Sequence, residues 1–130
     1  MSVLVSPIRV LIAEDDPPLR EVMTEVILGE PEFELVGAVG DAASAIAAAG
    51  KELPDVVIVD VRMPGGGGVA ATRGILEVSP GTQVIAFTGH DDDSIAAELF
   101  DAGAAGYVVK GSPIDDIVGT IRAAVGQHVA

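Results

Sequence analysis

The stretch Pro54-Asp55-Val56-Val57-Ile58-Val59-Asp60 decides the fold of this chain. It is a short run of mostly β-branched residues that ends in a carboxylate. Such a run is typical of a strand that is buried on both faces of a parallel sheet. The carboxyl ends of the strands form the edge at which open α/β sheets bind ligands. We therefore predict that this strand delivers Asp60 to a functional edge.

Three further apolar runs also end in polar groups. These groups are an acid pair, a hydroxyl and a lysine: Glu14 with Asp15, Thr88, and Lys110. Because parallel strands present their carboxyl ends at one edge of a sheet, we expect these side chains to gather around Asp60.

Apolar runs alternate with amphipathic stretches five times along the chain. The predicted strands are Ile8–Ala13, Phe33–Val39, Val56–Val59, Gln83–Phe87 and Gly106–Val109. The predicted helices are Pro17–Leu28, Asp41–Ala49, Val69–Val78, Ser94–Ala102 and Pro113–Val125, with Asp41 as an N-cap. This (βα)5 pattern predicts an α/β, flavodoxin-like, three-layer sandwich with sheet order 2-1-3-4-5. The order reverses beside strands one and three, which carry the acids.

The length of 130 residues suits one domain. We expect a single domain over 1–130, with its core at about 8–126, an N-terminal tail at 1–7, and a tail or the start of a linker at 127–130.

The chain has no cysteine, which excludes disulfides, thiolate nucleophiles and Cys-ligated zinc. The formal net charge of -13 repels phosphate backbones, so we expect no direct binding of nucleic acid by this chain. We find no membrane-spanning stretch and no secretory signal, and expect a cytoplasmic protein.

Three carboxylates at adjacent strand ends require a cation if all are to stay charged. A hard divalent ion with oxygen ligands and several waters fits best, so Mg²⁺ is the predicted cofactor, with Mn²⁺ as the alternative. An aspartate beside Mg²⁺ and a lysine can act as a nucleophile toward a phosphoryl group. The Thr88 hydroxyl can donate a hydrogen bond to a phosphoryl oxygen.

The order and spacing of these residues resemble the receiver domain of two-component response regulators over nearly the whole chain. The resemblance is carried by Glu14-Asp15, by Asp60 within Val59-Asp60-Val61-Arg62-Met63-Pro64, by Thr88, and by Lys110 within Gly106-Tyr107-Val108-Val109-Lys110. It implies that Asp60 accepts a phosphoryl group from a sensor histidine kinase. It also implies that Asp15, Asp60 and the backbone carbonyl of Arg62 ligate Mg²⁺ directly, and that Glu14 acts through a metal-bound water.

The same resemblance implies a switch in which Thr88 moves toward the phosphoryl group and the Tyr107 ring fills the vacated space. The face formed by the fourth helix, fifth strand and fifth helix would then change, and in this family that face often forms a homodimer. Arg62 and His90 are candidates for tuning the lifetime of the phosphoryl group. A self-phosphorylating switch of this kind is not a turnover enzyme. Neither the output domain nor its pathway follows from the sequence, although Lys110-Gly111-Ser112-Pro113 resembles the branch with a helix-turn-helix output.

Alternative interpretations compete with each of these predictions. Asp60 alone could cap a turn, Lys110 could be a solvated lysine, Tyr107 an ordinary strand aromatic, and His90 an exposed residue. As a whole, the chain could be a Mg²⁺-dependent phosphohydrolase, which the arginine at position 62 disfavours, or a pseudo-receiver that binds partners without phosphate.

Glycines mark three departures from the common receiver pattern. Gly67 removes a side-chain N-cap, Gly89 follows Thr88, and Gly111 stands where many receivers carry proline. The run Gly65–Gly68 lacks the Gly-Lys-Ser/Thr that ends a P-loop, so we interpret it as a flexible loop.

Overall fold

A five-stranded parallel sheet forms the middle layer of the protein. The computed structural model describes residues 6–89 and 93–128. Its strands are β1 (Ile8–Ala13), β2 (Phe33–Val39), β3 (Val56–Asp60), β4 (Gln83–Thr88) and β5 (Gly106–Val109). They lie in the order β2-β1-β3-β4-β5, and every neighbouring pair is parallel. This arrangement confirms the predicted sheet order.

Helices cover both faces of the sheet and close two apolar cores. They are α1 (Pro17–Leu28), α2 (Ala42–Glu52), α3 (Gly67–Val78), α4 (Asp93–Asp101) and α5 (Ile114–His128). One core packs the sheet against α2, α3 and α4, and the other packs it against α1 and α5. The three-layer sandwich is therefore confirmed. None of the helices in the described ranges is long and apolar enough to cross a membrane.

Four of the five helices, α2 to α5, have bounds that differ from those predicted. α2 begins one residue after Asp41, whose side chain accepts a 2.7 Å hydrogen bond from Ser44 N as an N-cap, and it continues to Glu52 rather than ending at Ala49. α4 lies one residue earlier than predicted, at Asp93–Asp101. α5 begins at Ile114 rather than Pro113 and runs to His128 rather than Val125. Apolar spacing does not mark the ends of α2 and α5, because the last turns of these two helices carry mainly small or polar residues.

The glycine run after β3 is partly helical, whereas a loop over all four glycines was predicted. Gly65, Gly66 and Gly67 have φ values of +91°, +106° and +77°, which favour glycine. α3 begins at Gly67 rather than Val69, so the last two glycines of the predicted loop are helical. The N-cap of α3 is Gly66 rather than the predicted Gly67, and Gly66 has no side chain that could make a capping hydrogen bond.

Gly68 allows α3 to pack directly on the end of β3. A Cβ atom at this position would lie 2.9 Å from Val61 Cα and 3.0 Å from the Asp60 carbonyl oxygen. Gly68 N also donates a 3.0 Å hydrogen bond to the Val61 carbonyl. Because both neighbours are backbone, a side chain at position 68 must displace the helix from the strand end that carries Asp60.

We predict that Gly68→Ala lowers the free energy of unfolding by about 1–3 kcal/mol, the usual cost of overpacking a close contact. Gly126→Ala is the matched control, because Gly126 is exposed in α5 and nothing lies within 4 Å of its Cβ position. We expect the control to be neutral or slightly stabilising through helix propensity. Urea denaturation measures both; equal free energies for the two variants would contradict the close-contact interpretation.

Candidate functional site

Three carboxylates meet at the carboxyl ends of β1 and β3. Ala13 and Val59 are register partners, so the residues that follow them, Glu14 and Asp60, lie side by side. One carboxylate oxygen from each of Glu14, Asp15 and Asp60 lies within 4.8 Å of the others. Glu14 and Asp60 are 0% and 1% exposed, whereas Asp15 is exposed. The pairing of the strands thus places the predicted acids together.

Backbone amides satisfy only part of the hydrogen-bonding capacity of the two buried acids. Asp16 N donates to Glu14 Oε2, and Arg62 N donates to Asp60 Oδ1, both at 3.1 Å. Within the described part of the chain, Glu14 Oε1 and Asp60 Oδ2 are buried without a hydrogen-bond partner. Buried polar oxygens are rarely left in this state. Hard oxygen donors that converge on one point suit a divalent ion such as Mg²⁺.

Burial and the closeness of the acids shift the pKa values of Glu14 and Asp15 in opposite directions. The pKa of Glu14 is raised to about 8, chiefly because burial disfavours the charged form and secondly because Asp60 lies beside it. The pKa of Asp15 is lowered, chiefly by hydrogen bonding to the Asp60 carboxyl group. The site thus holds a neutral acid and a charged acid beside the strand-end aspartate.

Lys110 supplies the positive charge of the site. It follows β5, and its Nζ lies 3.0 Å from Asp60 Oδ1 and 3.9 Å from Glu14 Oε1. Its backbone N donates a 2.7 Å hydrogen bond to the Thr88 carbonyl, which continues the β4–β5 pairing past the strand end. Gly111 then turns the chain with a φ of +90°. Lys110 is therefore an ion-pair partner in the site and not a solvated lysine.

Thr88 and Tyr107 occupy opposite environments near the same edge. Thr88 is 3% exposed, and its hydroxyl donates a long hydrogen bond of 3.3 Å to the Gly89 carbonyl. Tyr107 is 51% exposed, and its ring packs edge-to-face against Phe100 at 6.0 Å. The structure does not bring the Tyr107 ring into the carboxylate site. The Arg62 side chain is exposed, and His90 lies outside the described residues.

Two residues that contact the site were missed by the sequence analysis. Arg20 in α1 donates a 2.8 Å hydrogen bond from Nη1 to the Glu14 carbonyl, and it occupies the space where Gly40 would otherwise carry a Cβ atom. Phe87 lies under Lys110, with the ammonium 5.7 Å from the ring centroid. The position of Phe87 directly before Thr88 in the sequence could have indicated that it lies near the site. For Arg20 the sequence offers only a lone arginine in an acidic helix.

Comparisons of the sequence with known proteins all point to response regulators. The sequence model of the response regulator receiver domain matches residues 10–122. Response regulator GacA of Pseudomonas viridiflava is 36% identical over 115 residues, which is 88% of this chain and 54% of that protein. The transcriptional regulatory protein PdtaR of Mycobacterium tuberculosis is 37% identical over 123 residues, 93% of this chain and 58% of that protein. The chain thus spans little more than half the length of these curated relatives.

Solved structures agree with the sequence matches. A two-component response regulator of the LuxR family from Aurantimonas sp. SI85-9A1 superposes with a TM-score of 0.87 at 33% identity, covering 94% of this chain and 87% of that one.

We predict that Glu14→Gln stabilises the metal-free protein at alkaline pH. The folded-state pKa of Glu14 is raised above 4.5, so ionisation of Glu14 costs stability progressively as pH rises from 4.5 through about 8. Glutamine removes this cost. In EDTA, the melting temperature of Glu14→Gln minus that of the wild type should grow by several degrees between pH 5 and pH 9. Glu21→Gln, at an exposed position of α1, is the control and should show no such growth; a flat difference for Glu14→Gln would contradict the prediction.

Proposed function

The chain belongs to the response regulator receiver family, and from this membership we propose that Asp60 is its phosphoacceptor. Response regulators are signalling switches that receive phosphoryl groups from histidine kinases. The observation that carries the assignment is the position of the Asp60 carboxylate, which lies 3.0 Å from Lys110 Nζ and has carboxylate oxygens of Glu14 and Asp15 within 4.8 Å. We propose that the partner is a sensor histidine kinase and that the chain catalyses only its own phosphorylation and dephosphorylation.

The residues around Asp60 fit Mg²⁺. We propose that Asp15, Asp60 and the Arg62 carbonyl ligate the ion directly, and that Glu14 contacts it through water. The unpartnered oxygens Glu14 Oε1 and Asp60 Oδ2 support this proposal. When bound, Mg²⁺ supplies positive charge to the phosphoryl oxygens during transfer.

In this mechanism, a carboxylate oxygen of Asp60 forms the new bond to phosphorus. The bond between phosphorus and the donor's leaving group breaks in line, and the leaving group takes the electron pair. The Lys110 ammonium stabilises the negative charge on the phosphoryl oxygens. The Arg62 amide, which already donates to Asp60 Oδ1, holds the nucleophile in place.

We predict that acetyl phosphate with Mg²⁺ adds one phosphoryl mass to the wild-type protein and none to Asp60→Asn, as seen by intact-mass spectrometry. EDTA should also prevent the gain. Asp55→Asn is the matched control, because Asp55 flanks the opposite end of β3 and accepts a hydrogen bond from Arg9 N away from the site. A phosphorylated Asp60→Asn protein would refute the assignment. Absence of labelling in the wild type would favour a pseudo-receiver, and steady phosphate release would favour a hydrolase.

The switch that we propose uses Thr88 and Tyr107. Among the described residues, the Thr88 hydroxyl makes a long hydrogen bond to the Gly89 carbonyl, so a phosphoryl oxygen can replace this acceptor at low cost. Tyr107 is exposed in the unphosphorylated protein. Its register partner in β4 is Ala86, which lies two residues before Thr88. Movement of Thr88 would therefore open space beside the strand that carries the ring. Phosphorylation would bias an existing two-state equilibrium.

The surface formed by α4, β5 and α5 is the proposed output face. Three of its large apolar side chains are exposed: Phe100, Tyr107 and Ile114. A groove of about 540 Å³ runs between β5 and α5. We propose that this face forms a homodimer or contacts an output partner. Several relatives are named as transcriptional regulatory proteins, so we propose transcription as the regulated process.

We predict that phosphorylation reduces the exposure of Tyr107. The chain has one tyrosine and no tryptophan, so intrinsic fluorescence reports on this residue alone. When acetyl phosphate and Mg²⁺ are added, iodide quenching should fall to a small fraction of its initial value, because the half-exposed ring becomes buried. Thr88→Ala should take up phosphate without this change. Unchanged quenching in a phosphorylated wild type would remove Tyr107 from the switch.

A further inference from the structure

The aromatic ring of Phe87 lies directly beneath the charged end of Lys110. The ammonium is 5.7 Å from the ring centroid, and the ring is 3% exposed. This distance is within the range at which the negative face of an aromatic ring attracts a cation. The Lys110 side chain itself is one-third exposed, so the ring shields one side of it from water.

The pairing of the strands explains this position. Phe87 is the register partner of Asp60 across the β3–β4 ladder. Its side chain belongs to the core on the α1 and α5 side of the sheet, as does that of Val108. Because side chains alternate along a strand, Lys110, two residues after Val108, starts on the same side. The Phe87 ring therefore lies below the ion pair of Asp60 and Lys110, 5.7 Å from the ammonium.

We propose that Phe87 is a positioning residue that holds the Lys110 ammonium over the site. This inference rests on the proposed function of Asp60. During phosphorylation Lys110 must exchange its partner, from the Asp60 carboxylate to an oxygen of the incoming phosphoryl group. The ring attracts the ammonium before and after this exchange, and it carries no net charge that would compete with the phosphoryl group. Phe87 accordingly increases the rate of phosphorylation without contacting the reacting atoms.

The first test compares Phe87→Leu with Phe33→Leu. Phe33 is a buried phenylalanine of the same core, at the opposite end of the sheet, so its variant is the control for lost packing. We expect both variants to lose stability to a similar degree. Only Phe87→Leu should slow phosphorylation by acetyl phosphate, by about two- to fivefold, the effect of a partly exposed cation–π contact. Equal rates for the two variants would overturn the proposal.

A spectroscopic measurement observes the contact without phosphorylation. The chain has two lysines, Lys51 and Lys110, so lysine-selective ¹³C labelling gives two sets of signals. The ring current of Phe87 should shift the Lys110 ε-methylene protons upfield, and Phe87→Leu should abolish the shift while the Lys51 signals stay unchanged. An unshifted Lys110 signal in the wild type would overturn the proposal. If the wild type takes up no phosphate, the proposed function fails. The chemical shift of the Lys110 ε-methylene protons still shows whether Phe87 contacts Lys110.

A volume-conserving variant covers the case in which Phe87→Leu fails to fold. Trifluorophenylalanine at position 87 keeps the ring but weakens its negative face. We expect it to slow phosphorylation in a protein with native Lys110 and to have no effect in the Lys110→Met background. An unchanged rate with native Lys110, or an equal loss in both backgrounds, would show that Phe87 serves only to fill the core.

Discussion

The burial of two adjacent carboxylates, Glu14 and Asp60, is the constraint on which the rest of the structure depends. Both lie at the ends of central strands, where water is excluded and their mutual repulsion is strong. The fold tolerates them because backbone amides, a neutral form of Glu14 and the Lys110 ammonium each offset part of the cost. A divalent ion would offset more. The sheet therefore holds the acids in place, but part of their negative charge stays uncompensated until a cation binds. This suits the proposed phosphoacceptor site.

Much of this arrangement could be predicted because parallel strands impose it. Once the sheet order is known, the apolar runs that end in Asp60, Thr88 and Lys110 leave few other places for these three side chains. The parts that could not be predicted depend on contacts between segments distant in sequence. Helix α3 begins at Gly67 because Gly68 fits against the backbone of β3, and no local pattern marks that contact. The position of Arg20 under the Glu14 carbonyl is also fixed by tertiary packing.

The strand β5 connects the site with the proposed output face. Lys110 and Tyr107 are three residues apart, so one points into the site while the other packs against Phe100 on the exposed side. Thr88 stands beside this strand at its carboxyl end, where Val109 is its register partner. A charge change at Asp60 can thus reach the surface through a short, stiff segment. No long pathway through the core is required, and a two-state switch needs only a few kcal/mol of bias.

Under the proposed function Lys110 exchanges its anionic partner, and its surroundings differ from those of the arginines that join elements of the fold. Arg9 is paired with Glu52, and Arg122 is paired with Glu30 and Glu32, so each joins elements through opposite charges. Besides Asp60, Lys110 has Glu14 at 3.9 Å, and the raised pKa of Glu14 disfavours its charged form. A closer, charged carboxylate would draw Lys110 away from an incoming phosphoryl group. An aromatic ring attracts the ammonium without adding negative charge, and its attraction is the same whichever anion Lys110 contacts. In a chain of net charge -13, where acidic partners are abundant, a neutral anchor keeps the lysine available for exchange.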